Sequence, residues 1–301
     1  GDSDDHSWML DLLRRSRVLT FLERWSRLRR RNRQSAAIAA EAKPDIVLRN
    51  EIMSSSRSLM LLVVLGIAMV WGMWKLIELL VGVGGDEWLR IFGATGLTLS
   101  RVLVSTAIGT LWTVPAGLWI GLSSRRARFF QPIVQVAAAF PAPMLFPLVL
   151  LALNFLGVSL NFGSVLLMLL GTQWYLLFNV IAGAMAIPSD LREAGTSFHI
   201  VGWQRFATIY LPGVFPYLVT GWVTAAGGAW NASIVAEYIE FGGKTYHAAG
   251  LGNLIAIAFD RKNYQLLSAA VLTMAIVVVA FNRTVWRPLY RLAETRFSLS
   301  K

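Results

Sequence analysis

Long apolar runs alternate with short polar and basic clusters along the whole chain. Six of the runs, roughly 58–81, 97–122, 129–153, 163–187, 213–239 and 264–286, are long and apolar enough to cross a bilayer as helices. The pattern predicts an all-α polytopic membrane protein of about six transmembrane helices. Details within the runs fit that reading. Lys75 and Glu78, three apart near the far end of the first run, can pair and reach the interface. Gly117-x-x-x-Gly121 in the second presents a small-residue face suited to close helix contact. Pro141, Pro143 and Pro147 interrupt the third, where a kink or a set of exposed carbonyls is expected.

One interruption differs from the others. Between the fourth and fifth runs, residues 187–212 (IPSDLREAGTSFHIVGWQRFATIYLP) carry Asp190, Arg192, Glu193, His199 and Arg205, bracketed by Pro188 and Pro212. Ser189 and Asp190 after a proline predict a capped helix start, and Asp190 with Glu193 has capping-box spacing. Gly195 and Gly202 weaken or break the helix beyond that start, and Pro212 forbids a straight helix from Tyr210 onward. The expectation is one or two short helices lying in water between two spans.

Composition agrees with the pattern. Of 301 residues, 55% are hydrophobic and 15% charged, too few charges to cover so much apolar surface in a soluble domain. The net charge of +11 is not accompanied by any nucleic-acid reading module, so no nucleic acid is expected as a partner. Cysteine is absent, which excludes disulfide scaffolds and Cys-based metal sites. His6, His199 and His247 are scattered without ligand spacing, and no metal is expected. Gly243-Lys244-Thr245 imitates the end of a phosphate loop, but Tyr238 stands where its first glycine would be. No catalytic motif is present, and none of the residues is expected to do catalysis.

The placement of charge orients the chain. With the N-terminus on the cytoplasmic side, the segments on that side hold twenty-two Lys and Arg, twelve of them in residues 1–57. The other side holds five: Arg90, Arg101, Lys244, Arg261 and Lys262. The positive-inside rule then puts both termini and the Glu193 loop in the cytoplasm. Residues 1–57 read as a basic tail or linker, either solvated or partly an amphipathic helix on anionic lipid. Residues 58–290 form the transmembrane domain, with the wet loop at about 188–212, and 291–301 a second cytoplasmic tail.

The spacing of the loop carries a resemblance. Glu193-Ala194-Gly195 followed by Ile209, Leu211 and Pro212 resembles the EAA signature of ABC-importer permeases, with Ile209 sixteen residues after Glu193 as that signature requires. Two positions depart from it: Gly195 stands where Ala is usual, and His199 where the signature has Gly, with Gly202 nearby. Phe140-Pro141, Pro147-Leu148 and Phe155-Leu156-Gly157 look like the third span of the nitrate/sulfonate/taurine branch, and 231–239 (NASIVAEYI) with Gly250-Leu251-Gly252 resembles its fifth span and outer loop. Those stretches look most like long members that fuse two such halves, which would make this chain a C-terminal half.

The resemblance implies a prokaryotic inner-membrane permease subunit of an ABC importer, half of a path for a small solute of anionic type. A second permease half, identical, homologous or fused, would complete the path. A cytoplasmic ABC ATPase dimer would hold the Mg-ATP, with no cofactor on this chain, and an extracytoplasmic binding protein would deliver the solute. Glu193, Ala194, Gly195, His199, Gly202, Ile209, Leu211 and Pro212 would then form a coupling helix and its hinge. Gln173, Asn179, Trp230 and Asn231 offer hydrogen bonds at membrane depth, to the path or between helices. Glu237 is the costly one in lipid. It faces the path, holds an outer gate through Asn231 or the nearby loop, or pairs at the interface with Lys244, Arg261 or a backbone amide. A secondary transporter or channel without an ATPase is the alternative, and it would need more ionisable groups inside the spans than these runs offer.

Overall fold

The computed structural model describes residues 44–297, with side chains from Leu59 onward. Most of the basic N-terminal segment, and with it the expected amphipathic helix on lipid, lies outside the described residues, as do the last four residues. The chain divides into two units at Trp74. Within the first, the described residues belong to helix α1, Pro44–Val81, which begins fourteen residues ahead of the expected first span. Near its end, in the second unit, Lys75 Nζ donates to Glu78 Oε2 at 2.8 Å.

The second unit is built almost entirely of helices. Helix α2 (Gly85–Gly121) starts well before the expected second span, so Arg90, expected outside it, lies on the helix together with Arg101. The third span is a broken pair, α3 (Ser124–Ala139) and, after a 3-10 turn at Ala142–Leu145, α4 (Phe146–Phe155), bent by 76°. The break falls where Pro141 forces Phe140 into extended backbone. Helix α5 (Leu160–Ala186) is followed by α6 (Ser189–Ser197) and the single turn α7 (Gly202–Arg205). A π-turn at Phe206–Tyr210 leads into α8 (Leu211–Ala236). Beyond it come a hairpin of β1 (Tyr238–Phe241) and β2 (Lys244–His247), α9 (Leu251–Asp260), α10 (Tyr264–Phe281), a second π-turn (Asn282–Trp286) and α11 (Arg287–Arg296).

Among the described residues, five helical runs are long and apolar enough to cross a membrane, six if the bent pair counts as one span, which is the all-α polytopic class expected. Pro212 does not stop the helix. The run from Gly202 to Ala236 is continuous, and the π-turn just before Pro212 absorbs the missing N–H and the ring. The second π-turn precedes Pro288 in the same way. The hairpin was not foreseen. Gly242 and Gly243 at its tip both have positive φ (60° and 74°), the geometry a two-residue Gly-Gly turn supplies, so the phosphate-loop look-alike is a turn.

Helix α5 is the centre of the packing, with α2 on one side and α8 on the other. A Cβ on Gly117 would lie 2.6 Å from Val180, and one on Gly121 the same distance from Ile181 O, so this pair sets how near α2 comes to α5. One buried cluster includes Ile91, Leu167, Met168, Ala229 and Leu251. A second, holding Val114, Leu176, Val180, Ile187, Ile209 and Val214, runs down to the α6 segment.

Candidate functional site

Helix α6 begins one residue earlier than capping by Ser189 requires. Ser189 is already helical, Pro188 occupies the cap position, and no side chain caps the helix, so the expected capping box does not form. The other end is built with care. The Phe198 amide donates to Ala194 O, the His199 amide to Thr196 O at 3.0 Å, and the Ile200 amide to Gly195 O at 2.9 Å. That set of bonds turns a chain out of a helix through a left-handed residue, which here is His199 with φ 53°. A glycine is the usual occupant of such a position, which gives His199 its place in the signature a physical meaning. Gly202 also has positive φ, 56°, and starts the next helix.

Gly195 does not break α6. It is buried, and a Cβ there would stand 2.5 Å from Ile209 Cδ1, so Ile209 fills the room an alanine methyl would take. This contact joins α6 to the π-turn that starts the fifth span. Arginines complete the bracing: Arg205 Nη2 donates to Arg192 O (2.8 Å) and Thr196 Oγ1 (3.3 Å), and Arg192 Nη1 donates to Leu122 O (3.1 Å) at the end of α2. The guanidinium of Arg205 lies over the Tyr210 ring. Glu193 is exposed and Ala194 half-buried, while Leu211 and Pro212 are half-buried at the first turn of α8. Beside Glu193, Phe198, Val201 and Trp203 are 78%, 71% and 77% exposed.

At the other end of the fifth span, Glu237 follows the last residue of α8 and is 0% exposed. Its carboxylate accepts from Arg101 Nη1 (2.8 Å), from the Thr98 hydroxyl (2.8 and 3.1 Å) and from the amides of Gly252 (2.9 Å) and Asn253 (3.3 Å) in the first turn of α9. Acid, cation and helix N-terminus thus neutralise one another away from water. Arg101 also donates to Ala249 O (2.7 Å), Asn161 O (3.1 Å) and Asn161 Oδ1 (3.1 Å), and Thr98 Oγ1 accepts from the Leu251 amide. The clamp also dictates the glycines of the Gly-Leu-Gly loop. A Cβ on Gly250 would lie 2.2 Å from Glu237 Oε2, and one on Gly252 2.4 Å from the backbone oxygen of Ser233.

The remaining expected path residues scatter. Trp230 is buried in the core rather than on an open surface. Asn231 is exposed, Gln173 half-buried, and half-buried Asn179 donates to Tyr175 O at 2.7 Å. Glu237 is paired not with Lys244, Arg261 or Asn231 but with Arg101, Thr98 and two amides. Arg101, Thr98 and Asn161 were missed, and the signal was available: an arginine near the start of an apolar run needs a partner. Outside the spans, the hydroxyl of Tyr238 is pushed up to about 12, chiefly by its hydrogen bond to Asp260, which ties the hairpin to the end of α9.

These features define a polytopic helical membrane protein with a braced, wet helix between two spans and a locked ion pair at the far end of the later one. Residues 113–295 match the family described as binding-protein-dependent transport system inner membrane component, and the chain belongs to that family. Among its relatives is the nitrate import permease protein NrtB of Synechococcus elongatus, 23% identical over 164 residues, which are 54% of this chain and 55% of that one. The glycine betaine/proline betaine permease protein ProW of Escherichia coli is 24% identical over 206 residues, 68% of this chain and 54% of its own. The chain thus spans about half the length of each. Permeases named for bicarbonate and taurine transport align over similar stretches. A solved chain of the MetNI methionine ABC transporter, in an inward-facing conformation, shares the fold: TM-score 0.57, 16% identity, 70% of this chain and 99% of that one.

Proposed function

We propose that this chain is the transmembrane subunit of an ATP-driven importer, forming half of a translocation path and coupled to a separate ATPase dimer through α6. The observation that carries the reading is the exposed apolar patch of Phe198, Val201 and Trp203 beside Glu193, on a segment braced against both α2 and α8. Apolar side chains outside the spans favour a covering partner. The bracing supplies the transmission. A pull on α6 acts through Gly195–Ile209 and Arg205 on the π-turn, and so on the tilt of α8. A partner that grips α6 differently in its two nucleotide states then shifts the balance between two arrangements of the spans.

The basic charge on the α6 side supports a cytoplasmic position for that face and for both termini. A second permease half and an extracytoplasmic binding protein complete the assembly, and the relatives named for nitrate and bicarbonate support a small anion as solute. Those for taurine and for glycine betaine/proline betaine are named for zwitterions. Asn231 offers an exposed amide to the path or to the second half. Glu237, wholly enclosed, acts as gate structure rather than as a solute contact.

The test is Glu193→Ala in membranes containing the ATPase. The expected outcome is normal insertion and continuing ATP hydrolysis, with solute uptake lost. Uptake at the wild-type level would remove α6 from the coupling path.

A further inference from the structure

Behind α6 lies a cavity of about 400 Å³ whose lining includes Arg126 from α3, Arg192 from α6 and Arg205 at the foot of α8. Ser189 and Thr196 add hydroxyls, and Glu193 is the one acid in the lining. Three half-buried guanidinium groups share one small space, and no ion pair joins any of them to a carboxylate among the described residues. Each has its Nε buried without a hydrogen-bond partner. Arg192 and Arg205 spend other N–H groups on Leu122 O, Arg192 O and Thr196 Oγ1, and Arg126 stacks on Trp119. Like charges held together with donors to spare cost free energy unless an anion sits among them, and planar guanidinium forks match the oxygens of an oxyanion.

We propose that this cavity is a binding site for a tetrahedral oxyanion of the sulfate or phosphate type, either free in solution or carried on a lipid head group. Bound there, the anion joins three elements at once: the start of α3, α6 and the foot of the fifth span. It stiffens the bracing that any force on α6 must pass through. The site rests on the cavity's own geometry. The coupling reading enters only in that consequence, so failure of the uptake test on Glu193→Ala leaves the binding test untouched.

The experiment uses the full chain in mild detergent and follows its melting temperature as sulfate replaces chloride at constant ionic strength. A saturable rise is expected. In Arg126→Gln the half-saturating concentration should increase about tenfold, the loss expected for one charged hydrogen-bonding partner. Arg126 is the chosen position because, apart from its stack on Trp119, its guanidinium makes no hydrogen bond to any group among the described residues. Arg125→Gln, at an exposed neighbour outside the lining, should bind sulfate as the parent does. Arg126→Lys, which keeps the charge but not the fork, should fall between, and it serves if the glutamine variant does not fold. Repeating the titration in nanodiscs of phosphatidylcholine, with and without phosphatidylglycerol, separates the sources: loss of the sulfate response with the anionic lipid identifies the head group as the occupant. A non-saturating rise, equal in the parent and Arg126→Gln, is a general salting effect and overturns the proposal, as does a saturable rise that Arg126→Gln leaves unchanged.

Discussion

The two ends of the fifth span handle charge in opposite ways. At its C-terminal end, Glu237 and Arg101 are enclosed, and every oxygen of the acid meets a donor. At the other end Arg126, Arg192 and Arg205 are half-buried with donors left over, and Glu193 stands in the open. A charge cluster that is dry and satisfied can only hold; one that is half-wet and unsatisfied is built to meet something else. The contrast divides one helix into a closed end and an open end, which on the coupling proposed above are an anchored end and a driven one.

The sharpest way to break that contrast is to remove one member of the enclosed pair. Arg101→Met leaves Glu237 enclosed without its cation, and such losses cost about 3–5 kcal/mol. Glu237→Gln should fall near the same range, because it strands Arg101. Replacing both should recover part of the loss, not all, because the amides of Gly252 and Asn253 and the oxygen of Ala249 still need partners. Arg126→Gln at the driven end, by comparison, should shift stability by no more than about 0.5 kcal/mol. Thermal unfolding in detergent measures all four variants. Equal costs at Arg101 and Arg126 would erase the distinction between the ends.

How far the sequence foretold these ends depends on the kind of signal each carries. The number of spans was legible because about twenty consecutive apolar residues have few other uses. The α6 segment was legible because its charges interrupt such runs and because Glu193, Ile209 and Pro212 keep a fixed spacing. The partners of Glu237 were not. Arg101 lies 136 residues away, and no local spacing in the sequence brings that part of α2 to the end of α8. Nor was the start of α2 at Gly85 legible, where Glu87 accepts from the Gly84 amide. At Pro212 an interruption of regular helix was legible, but not its form. The rule that proline ends a helix holds for regular turns, and the π-turn before it lies outside the rule.

Glycine substitutions probe the same contrast at intermediate size. In Gly252→Ala the new methyl would meet the backbone oxygen of Ser233, which cannot rotate away, so α9 and α8 must part. A cost of about 1–3 kcal/mol is expected, the range for overpacking. In Gly195→Ala the methyl meets Ile209 Cδ1, the tip of a flexible side chain, and a change of rotamer relieves it at a cost below about 1.5 kcal/mol. Pairing it with Ile209→Val, which removes that terminal methyl, should restore most of the loss. If Gly195→Ala proves as costly as Gly252→Ala, α6 is held as rigidly as the Glu237 clamp.

The smallest effect has the opposite sign. His199 and Lys262 are the two non-glycine residues with positive φ among those described, 53° and 54°, and both end a helix through the same pair of bonds. Left-handed backbone costs an ordinary residue about 1–2 kcal/mol, while glycine gives back some of that by loosening the unfolded chain. His199→Gly and Lys262→Gly should therefore each stabilise the protein by about 0.5–1 kcal/mol. His199 Nδ1 does lie 3.1 Å from Ser197 O, but that contact is exposed and offsets little. The two differ in what else they change. Lys262 sits in the turn before α10 on the anchored side, so its replacement should leave transport as it was. His199 sits beside the exposed Phe198 at the α6 end, where, on the coupling proposed above, a stiffer or looser turn would alter how α6 meets an ATPase. Uptake changed by His199→Gly but not by Lys262→Gly, at equal gains in melting temperature, would mean that the imidazole at this turn is kept for contact and not for the fold.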